Sequence, residues 1–250
     1  MKIMTYNLRC TWLNADGVNA FLHRAGLMLD TLETEKPDVV CFQEVIEVQQ
    51  AFLEKHLSDY LLLWHGRYEN YNGEGLAIAV RKDTLALHGL EVFWLSPTPQ
   101  KPGSRFENQS DCPRICQIAT LRQKATGKLF RVFNVHLDHI SEEARVLGMG
   151  AALDAIEKEN AKLALPLFLL GDMNAYPESA AIENAKSVLA DLTGNLGGTY
   201  HEFGHKEEKI DYIFTDTQTA KKSWKCTRIE RMEDGIYLSD HYPVMVEGEI

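Results

Sequence analysis

Ionisable and amide side chains recur at the ends of apolar runs, where buried strands usually end. Acids are the commonest of these residues, and carboxylates are the hard oxygen ligands that Mg²⁺ or Mn²⁺ prefers. Two histidines stand in similar positions, and an imidazole donates hydrogen bonds to an anionic phosphate or acts as a base. The candidates are Asn7, Glu44, His136, Asp172, Asn174, Asp211, Asp240 and His241. Together they predict metal-assisted chemistry on a phosphate ester, in which charge is neutralised and water is positioned for in-line attack.

Each of these residues also has an ordinary structural interpretation. An acid at the end of a strand is most often a turn or helix-capping residue. Asp240-His241 alone is more typical of a surface pair than of a catalytic dyad. His201 and His205 have a metal-binding spacing, but their glycine and charged neighbours favour solvated loop histidines. Only the joint order of the candidates along the chain favours a site.

Hydrophobic periodicity predicts the helices and strands that must position these residues. The predicted helices are 18–35, 47–57 and 142–160. The apolar face of the first includes Val18 and Leu22, and that of the last includes Leu147. The predicted strands are 2–8, 38–43, 60–65, 76–81, 85–94, 114–122, 129–136, 166–171, 209–215, 223–230 and 242–248. A hairpin signal lies at 125–128, and the Pro-, Gly- and Ser-rich stretch 96–113 is a long loop of a length that is often functional.

The predicted strands outnumber the helices, and parallel crossovers occur together with hairpins. This pattern predicts mixed sheets covered by helices, an α/β layered architecture. No linker-like stretch divides residues 1–250, so we expect a single domain. A chain of this length is sufficient to bury a substantial core.

The charge balance restricts the class of partner. The chain has 26 basic and 36 acidic residues and a net charge of −10. Proteins that bind duplex DNA usually present a basic face, so we expect no binding of long duplex DNA. A Gly-rich nucleotide-binding loop is absent from the sequence.

Cysteine usage and hydropathy predict the location. Five cysteines, an odd number, indicate reduced thiols and a cytoplasmic location. The N-terminal segment has no basic-then-apolar signal, and no apolar run approaches the roughly 20 residues of a membrane span. We therefore expect no membrane insertion, and a monomer.

Six runs carry a resemblance that covers nearly the whole chain, from Thr5 to Val244. They are TYNLR, PDVVCFQEV, FNVHLDH, GDMNA, KIDYIF and SDHYPV. In this order they resemble the endonuclease/exonuclease/phosphatase superfamily, and GEGLAIAVRKD, FWLSPTP and CPRICQIATL resemble a bacterial branch of small members. The resemblance implies a four-layer α/β sandwich of the DNase I type, in which two mixed β-sheets pack face to face between flanking helices. The site would lie at one end of the sandwich.

The resemblance also implies roles around a divalent cation. Glu44 would be the principal metal ligand, with Asn7 beside it. Asp240 would support a metal or water. Asp172 would align or deprotonate the attacking water, and Asn174 would hold the phosphate in the developing transition state.

The histidines and two arginines would face the phosphate. His241 would contact the phosphate or act as a base, with Asp211 fixing its tautomer. His136 would donate to a phosphate oxygen. Arg114 and Arg145 are candidates for bidentate phosphate binding, although each is equally consistent with a surface ion pair.

One departure from the superfamily bears on the substrate. Apurinic-site endonucleases carry an acid two residues after the asparagine of the first strand, and this chain has Arg9 there. Together with the net charge, this favours a Mg-dependent phosphoric ester hydrolase that acts on a small phosphodiester or phosphomonoester. The alternatives are a nuclease acting on RNA or single-stranded DNA ends, and a catalytically dead binding module.

Overall fold

The computed structural model describes residues 1–10 and 16–250. The helices are α1 (Phe21–Glu35), α2 (Glu47–His56), α3 (Glu142–Lys162) and α4 (Ala180–Lys186). The strands are β1 (Lys2–Asn7), β2 (Val39–Val45), β3 (Tyr60–Gly66), β4 (Gly75–Arg81), β5 (Leu85–Trp94), β6 (Ile115–Gln123), β7 (Leu129–His136), β8 (Leu167–Asp172), β9 (Ala190–Asp191), β10 (Asp211–Thr215), β11 (Trp224–Arg228), β12 (Met232–Glu233), β13 (Ile236–Tyr237) and β14 (Val244–Gly248).

Twelve of these strands form two six-stranded mixed sheets. The first has the order β11-β14-β1-β2-β4-β3, and the second has the order β5-β6-β7-β8-β10-β9. One parallel pair lies inside each sheet, β1 with β2 and β7 with β8, and the neighbouring pairs are antiparallel. The predicted hairpin at 125–128 joins β6 to β7.

Both faces of the central strands are buried, which explains their continuous apolar runs. Ile3 and Val39 face the second sheet, where Phe168 and Leu170 belong to the same core. The opposite faces pack under helices, α1 on the first sheet and α3 with α4 on the second. The result is the expected four-layer α/β sandwich, with two mixed sheets face to face.

Amides join the two sheets near the ends of their parallel strands. The Nε2 group of Gln43 in β2 donates to Oδ1 of Asn134 in β7 at 2.8 Å. The Nδ2 group of Asn134 donates in turn to the carbonyls of Phe42 and Ala77. Because buried amides are costly unless paired, these bonds fix how one sheet sits against the other beside the site.

The helices differ from the sequence prediction in three ways. Val18 lies in a short 3₁₀ turn before α1 and is exposed, as is Leu22. Leu147 is also exposed, because the buried face of α3 is built around the small residues Gly148 and Ala152, which let the helix approach the sheet. Helix α4 was not predicted, since its seven residues are too few to show a clear period.

Across the residues that the structure describes, no helix combines the length and apolar character needed to cross a membrane.

Candidate functional site

A polar cavity of about 640 Å³ opens where strands of both sheets end. β1 ends at Asn7, β7 at His136 and β8 at Asp172, while Asp211 is the first residue of β10. The cavity is lined by Arg9, Cys10, Glu44, Arg67, Glu74, Cys112, Arg114, His136, His139, Ile140, Arg145, Asp172, Asn174, Tyr176, Tyr200, Lys206, Glu208, Ile210, Asp240 and His241. The two remaining predicted site residues, Asn7 and Asp211, are buried directly behind it and bond to residues of the lining.

Carboxylates from both sheets meet at Asn7. Its Nδ2 group donates to Glu44 Oε1 at 3.1 Å and to Asp172 Oδ2 at 2.9 Å. The backbone N–H of Cys10 donates to the other Glu44 oxygen at 2.8 Å. Ligand atoms of Glu44, Asp172 and His136 lie within 4.8 Å of one another, close enough for one ion.

Unusual backbone conformations aim two of these side chains. The pairing of β2 with β4 shifts register between Phe42 and Val45, and Glu44 in between has a φ of +61°. Asn174 has a φ of +47°, its N–H donates to Asp172 Oδ1, and its side chain donates to the carbonyl of Leu137. Positive φ is costly for residues other than glycine and concentrates at functional sites.

His241 forms a buried pair with Asp211, whose carboxylate lies 2.8 Å from Nδ1. Burial by itself lowers the pKa of His241, but the charge and hydrogen bond of Asp211 and the charges of Asp172 and Asp240 outweigh burial and raise it to about 10. Burial and the negative charge of Asp211 raise the pKa of Asp172 to about 7. His241 is therefore cationic at neutral pH, and Asp172 is poised to exchange a proton.

His136 lies between two carboxylates. Its Nε2 atom is 3.5 Å from Asp172 Oδ2, and its Nδ1 atom is 3.8 Å from Glu74 Oε1. Burial and the positive charges of Arg114 and Arg67 lower the pKa of His136 well below its ordinary value. His136 is therefore neutral, unlike His241.

Arg114 and Arg145 also line the cavity. Arg114 is buried, and its Nη2 group lies 3.0 Å from Nδ1 of His139. Its Nε and Nη1 groups, and Nε of Arg145, have no hydrogen-bond partner in the part of the chain that the structure describes. Buried donors without partners are costly, and an anion in the cavity would satisfy them.

Sequence reasoning missed Glu74 and Arg67. Glu74 directly precedes β4 and forms a bidentate ion pair with Arg67, the second bond being 3.0 Å long, while Arg114 Nη1 lies 3.8 Å from the same carboxylate. Burial and the charge of Glu44 raise the pKa of Glu74. The only sequence signal is an acid between two glycines before an apolar strand, which is also an ordinary turn.

The buried Arg24 was also not predicted, and it fixes the loop after β1. Its guanidinium donates to the carbonyls of Leu8, Arg9 and Leu238. Arg24 thereby joins two segments that are distant in sequence: the loop after β1 and the segment that leads into Asp240 and His241.

Asp240 lies at the site but belongs to neither group of ligand atoms that could hold an ion among the described residues. Its Oδ2 atom is 3.7 Å from Nε of Arg9, whose Nη2 group contacts Asp16 at 3.3 Å. Asp240 and His241 are both buried, so they are not a surface pair.

The prediction for His201 was wrong. His201 is buried and stacks on Tyr242, with ring centroids 3.9 Å apart. Its Nδ1 atom accepts a hydrogen bond from the N–H of Gly204. Burial lowers its pKa to about 4, so it is a neutral packing residue. His205 is exposed, as expected.

The donor set fits a divalent cation. Glu44, Glu74, Asp172 and Asp240 are carboxylates packed around one cavity, and burial together with the charge of Glu44 raises the pKa of the last three. Such an excess of negative charge is costly until a cation neutralises it, and oxygen ligands favour Mg²⁺ or Mn²⁺.

Comparison with known proteins gives concordant matches. A structure described as an endonuclease/exonuclease/phosphatase from Bacteroides vulgatus is 29% identical and covers 100% of this chain and 98% of its own, with a TM-score of 0.90. The Bacteroides thetaiotaomicron mannosyl-6-phosphatase is 26% identical and covers 100% of both chains, with a TM-score of 0.87. An uncharacterized protein of Acanthamoeba polyphaga mimivirus is 28% identical over 152 residues, which span 58% of this chain and 57% of that relative.

The profile of the Endonuclease/Exonuclease/phosphatase family matches residues 4–241, which include every predicted site residue. The chain therefore belongs to this family, whose members are metal-dependent hydrolases of phosphate esters.

Proposed function

We propose that this protein hydrolyses a small phosphate ester, using Mg²⁺ or Mn²⁺ and a water nucleophile. One observation carries the proposal: metal-type oxygen ligands and arginines with unpartnered donors line the same cavity. The carboxylates suit a cation, and the guanidinium groups suit an anion. A phosphate ester together with its metal requires both.

Glu44 would be the principal ligand of the cation, with Asn7 beside it and Asp240 in a supporting role. When bound, the cation would neutralise negative charge on the phosphate. Asn7 donates to both Glu44 and Asp172 through its Nδ2 group, so it orients carboxylates from the two sheets at once.

The proposed proton transfer follows from two raised pKa values, those of Asp172 and His241. Asp172, with a pKa of about 7, would accept a proton from the attacking water. His241, with a pKa of about 10, would donate a hydrogen bond to a phosphate oxygen, and Asp211 keeps it cationic and oriented. The raised pKa of His241 favours this role over that of a base. Asn174 and His136 would donate to the phosphate as neutral groups.

Arg114 and Arg145 would bind the phosphate through their guanidinium groups. Their unpartnered N–H groups are available to a phosphate oxygen, and a terminal phosphate offers one more such oxygen than a diester. The 26% identical mannosyl-6-phosphatase from Bacteroides thetaiotaomicron supports a monoester of a small molecule. We therefore favour a phosphomonoester over a diester.

Hydrolysis of p-nitrophenyl phosphate and bis-p-nitrophenyl phosphate, with Mg²⁺, Mn²⁺ or EDTA, tests the proposal. We expect metal-dependent release that His241→Ala reduces by about 10²- to 10⁴-fold, the usual contribution of a proton-donating group. His205→Ala, which changes an exposed histidine outside the cavity, is the matched control. Equal activity in EDTA, or full activity of His241→Ala, would refute the proposed chemistry.

Glu44→Gln tests the metal site separately from turnover. Glutamine keeps the shape of the side chain and removes its charge, so we expect loss of Mn²⁺ binding by calorimetry and a fall of several orders of magnitude in kcat. Glu54→Gln, on the exposed face of α2, should behave as the wild type. Unchanged Mn²⁺ binding in Glu44→Gln would remove Glu44 from the ligand set.

The proposal includes a monomer in the cytoplasm. All five cysteines are free thiols, which supports a reducing compartment. Light scattering after size exclusion should give a mass near 28.3 kDa, and a mass of twice that value would contradict the monomer.

A further inference from the structure

The mouth of the cavity carries four side chains that have no part in the proposed chemistry. They are Tyr176, Tyr200, Lys206 and Glu208, and we call them the rim. Tyr176 is 48% exposed and follows the phosphate-holding Asn174 by two residues. The rim therefore borders the place where the part of the substrate attached to the phosphate must lie.

Backbone pairing fixes the rim relative to His241. Tyr200 and Glu208 exchange two N–H···O=C bonds of 2.9 Å, which closes the segment between them. Tyr200 also forms an antiparallel bridge with His241, and Thr199 accepts a bond from the N–H of Tyr242 at 2.7 Å. The part of the rim from Tyr200 to Glu208 is thus held in place by backbone hydrogen bonds.

The rim combines aromatic faces with charged hydrogen-bonding groups. The ring of Tyr200 lies 4.9 Å from the imidazole of His241, and Nζ of Lys206 lies 5.4 Å from the centroid of the same ring. Burial and the nearby carboxylate of Glu208 raise the pKa of Tyr176, and both side chains line the cavity. Aromatic rings pack against apolar C–H faces, while a carboxylate accepts from hydroxyls and an ammonium donates to them.

Glu208 is the rim residue whose carboxylate is free to accept hydrogen bonds from a substrate. The neighbouring acids are paired, Glu202 with Lys206 at 3.3 Å and Glu207 with Arg228 at 3.5 Å. Within the described part of the chain, Glu208 forms no ion pair. A carboxylate has about four acceptor positions, so Glu208 can accept several hydrogen bonds from a ligand.

We infer that the leaving group is a sugar or similar polyol, bound by stacking on Tyr176 or Tyr200 and by hydroxyl donation to Glu208. This inference rests on the proposed phosphoesterase function and names its substrate class. An oligonucleotide fits less well, because its next phosphate would meet the unpaired carboxylate of Glu208. Tyr176 and Glu208 are then specificity-determining residues rather than catalytic ones.

The test compares kcat/KM for a panel of hexose 6-phosphates, nucleoside 5′-monophosphates and p-nitrophenyl phosphate, all with Mg²⁺. We expect the wild type to prefer a hexose phosphate. In Glu208→Gln, the ratio of kcat/KM for that hexose phosphate to kcat/KM for p-nitrophenyl phosphate should fall about 10- to 100-fold, the effect of one hydrogen bond to a charged group. Tyr176→Ala should lower the same ratio. Glu207→Gln, whose carboxylate faces Arg228, is the matched control and should keep the wild-type ratio.

An unchanged ratio in both rim variants, or a wild-type preference for nucleoside monophosphates, would overturn the inference. Hydrolysis of p-nitrophenyl phosphate without turnover of any hexose phosphate would overturn it while leaving the proposed function intact. Failure to hydrolyse any of the esters with any metal would overturn the proposed function and this inference with it.

Discussion

At the scale of single residues, the site separates two histidines by their charge. His241 is held cationic by Asp211, whereas His136 is kept neutral by burial and by the charges of Arg114 and Arg67. Two imidazoles in one cavity therefore supply different donors. Environment, rather than residue type, sets their roles.

The Asp211 carboxylate is the testable element of this arrangement. Asp211→Asn removes the charge that contributes most to raising the pKa of His241, so the pKa should fall toward its ordinary value. Because the proposed donor is the protonated imidazole, kcat/KM should decline at a lower pH than in the wild type, and kcat at neutral pH should drop about 10²- to 10⁴-fold. A pH profile of kcat/KM and an NMR titration of His241 would measure both effects.

Asp83→Asn is the appropriate control, since Asp83 is an exposed acid that pairs with Arg81 and does not line the cavity. A profile of Asp211→Asn that overlays the wild type would show that Asp211 does not control the protonation of His241.

At the scale of elements, periodicity and motif order predicted most of what positions the site. The strands that carry Asn7, Glu44, His136 and Asp172 all lie where the apolar runs predicted them. Their polar ends could be identified because a strand buried on both faces shows a sharp change to polar residues at its end.

The missed features depend on contacts that are distant in sequence. Glu74 is recognisable only once Arg67, Arg114 and His136 surround it. His201 was misassigned because its polar neighbours in sequence do not reveal the stacking partner, Tyr242. A local sequence pattern does not reveal burial that is caused by residues distant in sequence.

Gly171 allows the backbone of β8 to approach β7 closely beneath the site. Its φ is +146°, and a Cβ there would lie 1.9 Å from the carbonyl oxygen of Val135. Gly171→Ala must therefore separate the two parallel strands that carry His136 and Asp172. We expect a loss of more than about 3 kcal/mol in the free energy of unfolding, as for other changes that force backbone to move in a packed core.

Gly150→Ala is the matched control for Gly171→Ala. A Cβ at Gly150 meets no atom within 4 Å, and the residue lies inside α3. Alanine favours a helix over glycine, so this variant should be stabilised by about 0.5–1 kcal/mol. Urea unfolding would measure both values, and a Gly171→Ala protein as stable as the wild type would contradict the close approach of β7 and β8.

At the scale of the whole molecule, arginines line the cavity of a chain whose net charge is −10. Arg67 and Arg114 are buried at its wall, where their field acts on a substrate that has already entered. A net negative charge repels a long polyanion, whereas the proposed small phosphate ester would still reach the internal arginines.

This charge distribution predicts how the protein responds to nucleic acid. Duplex binding depends on neutralising many phosphates along a basic face, and its affinity falls steeply with salt. We expect no saturable binding of a labelled DNA duplex by fluorescence anisotropy up to about 10 µM protein, even at low ionic strength, where nonspecific binders would begin to respond. For the same reason, kcat/KM for a small phosphate ester should change only modestly between low and physiological salt, because one phosphate rather than many is engaged. Tight duplex binding that weakens steeply with salt would contradict this distribution, and would favour a nuclease over a hydrolase of small esters.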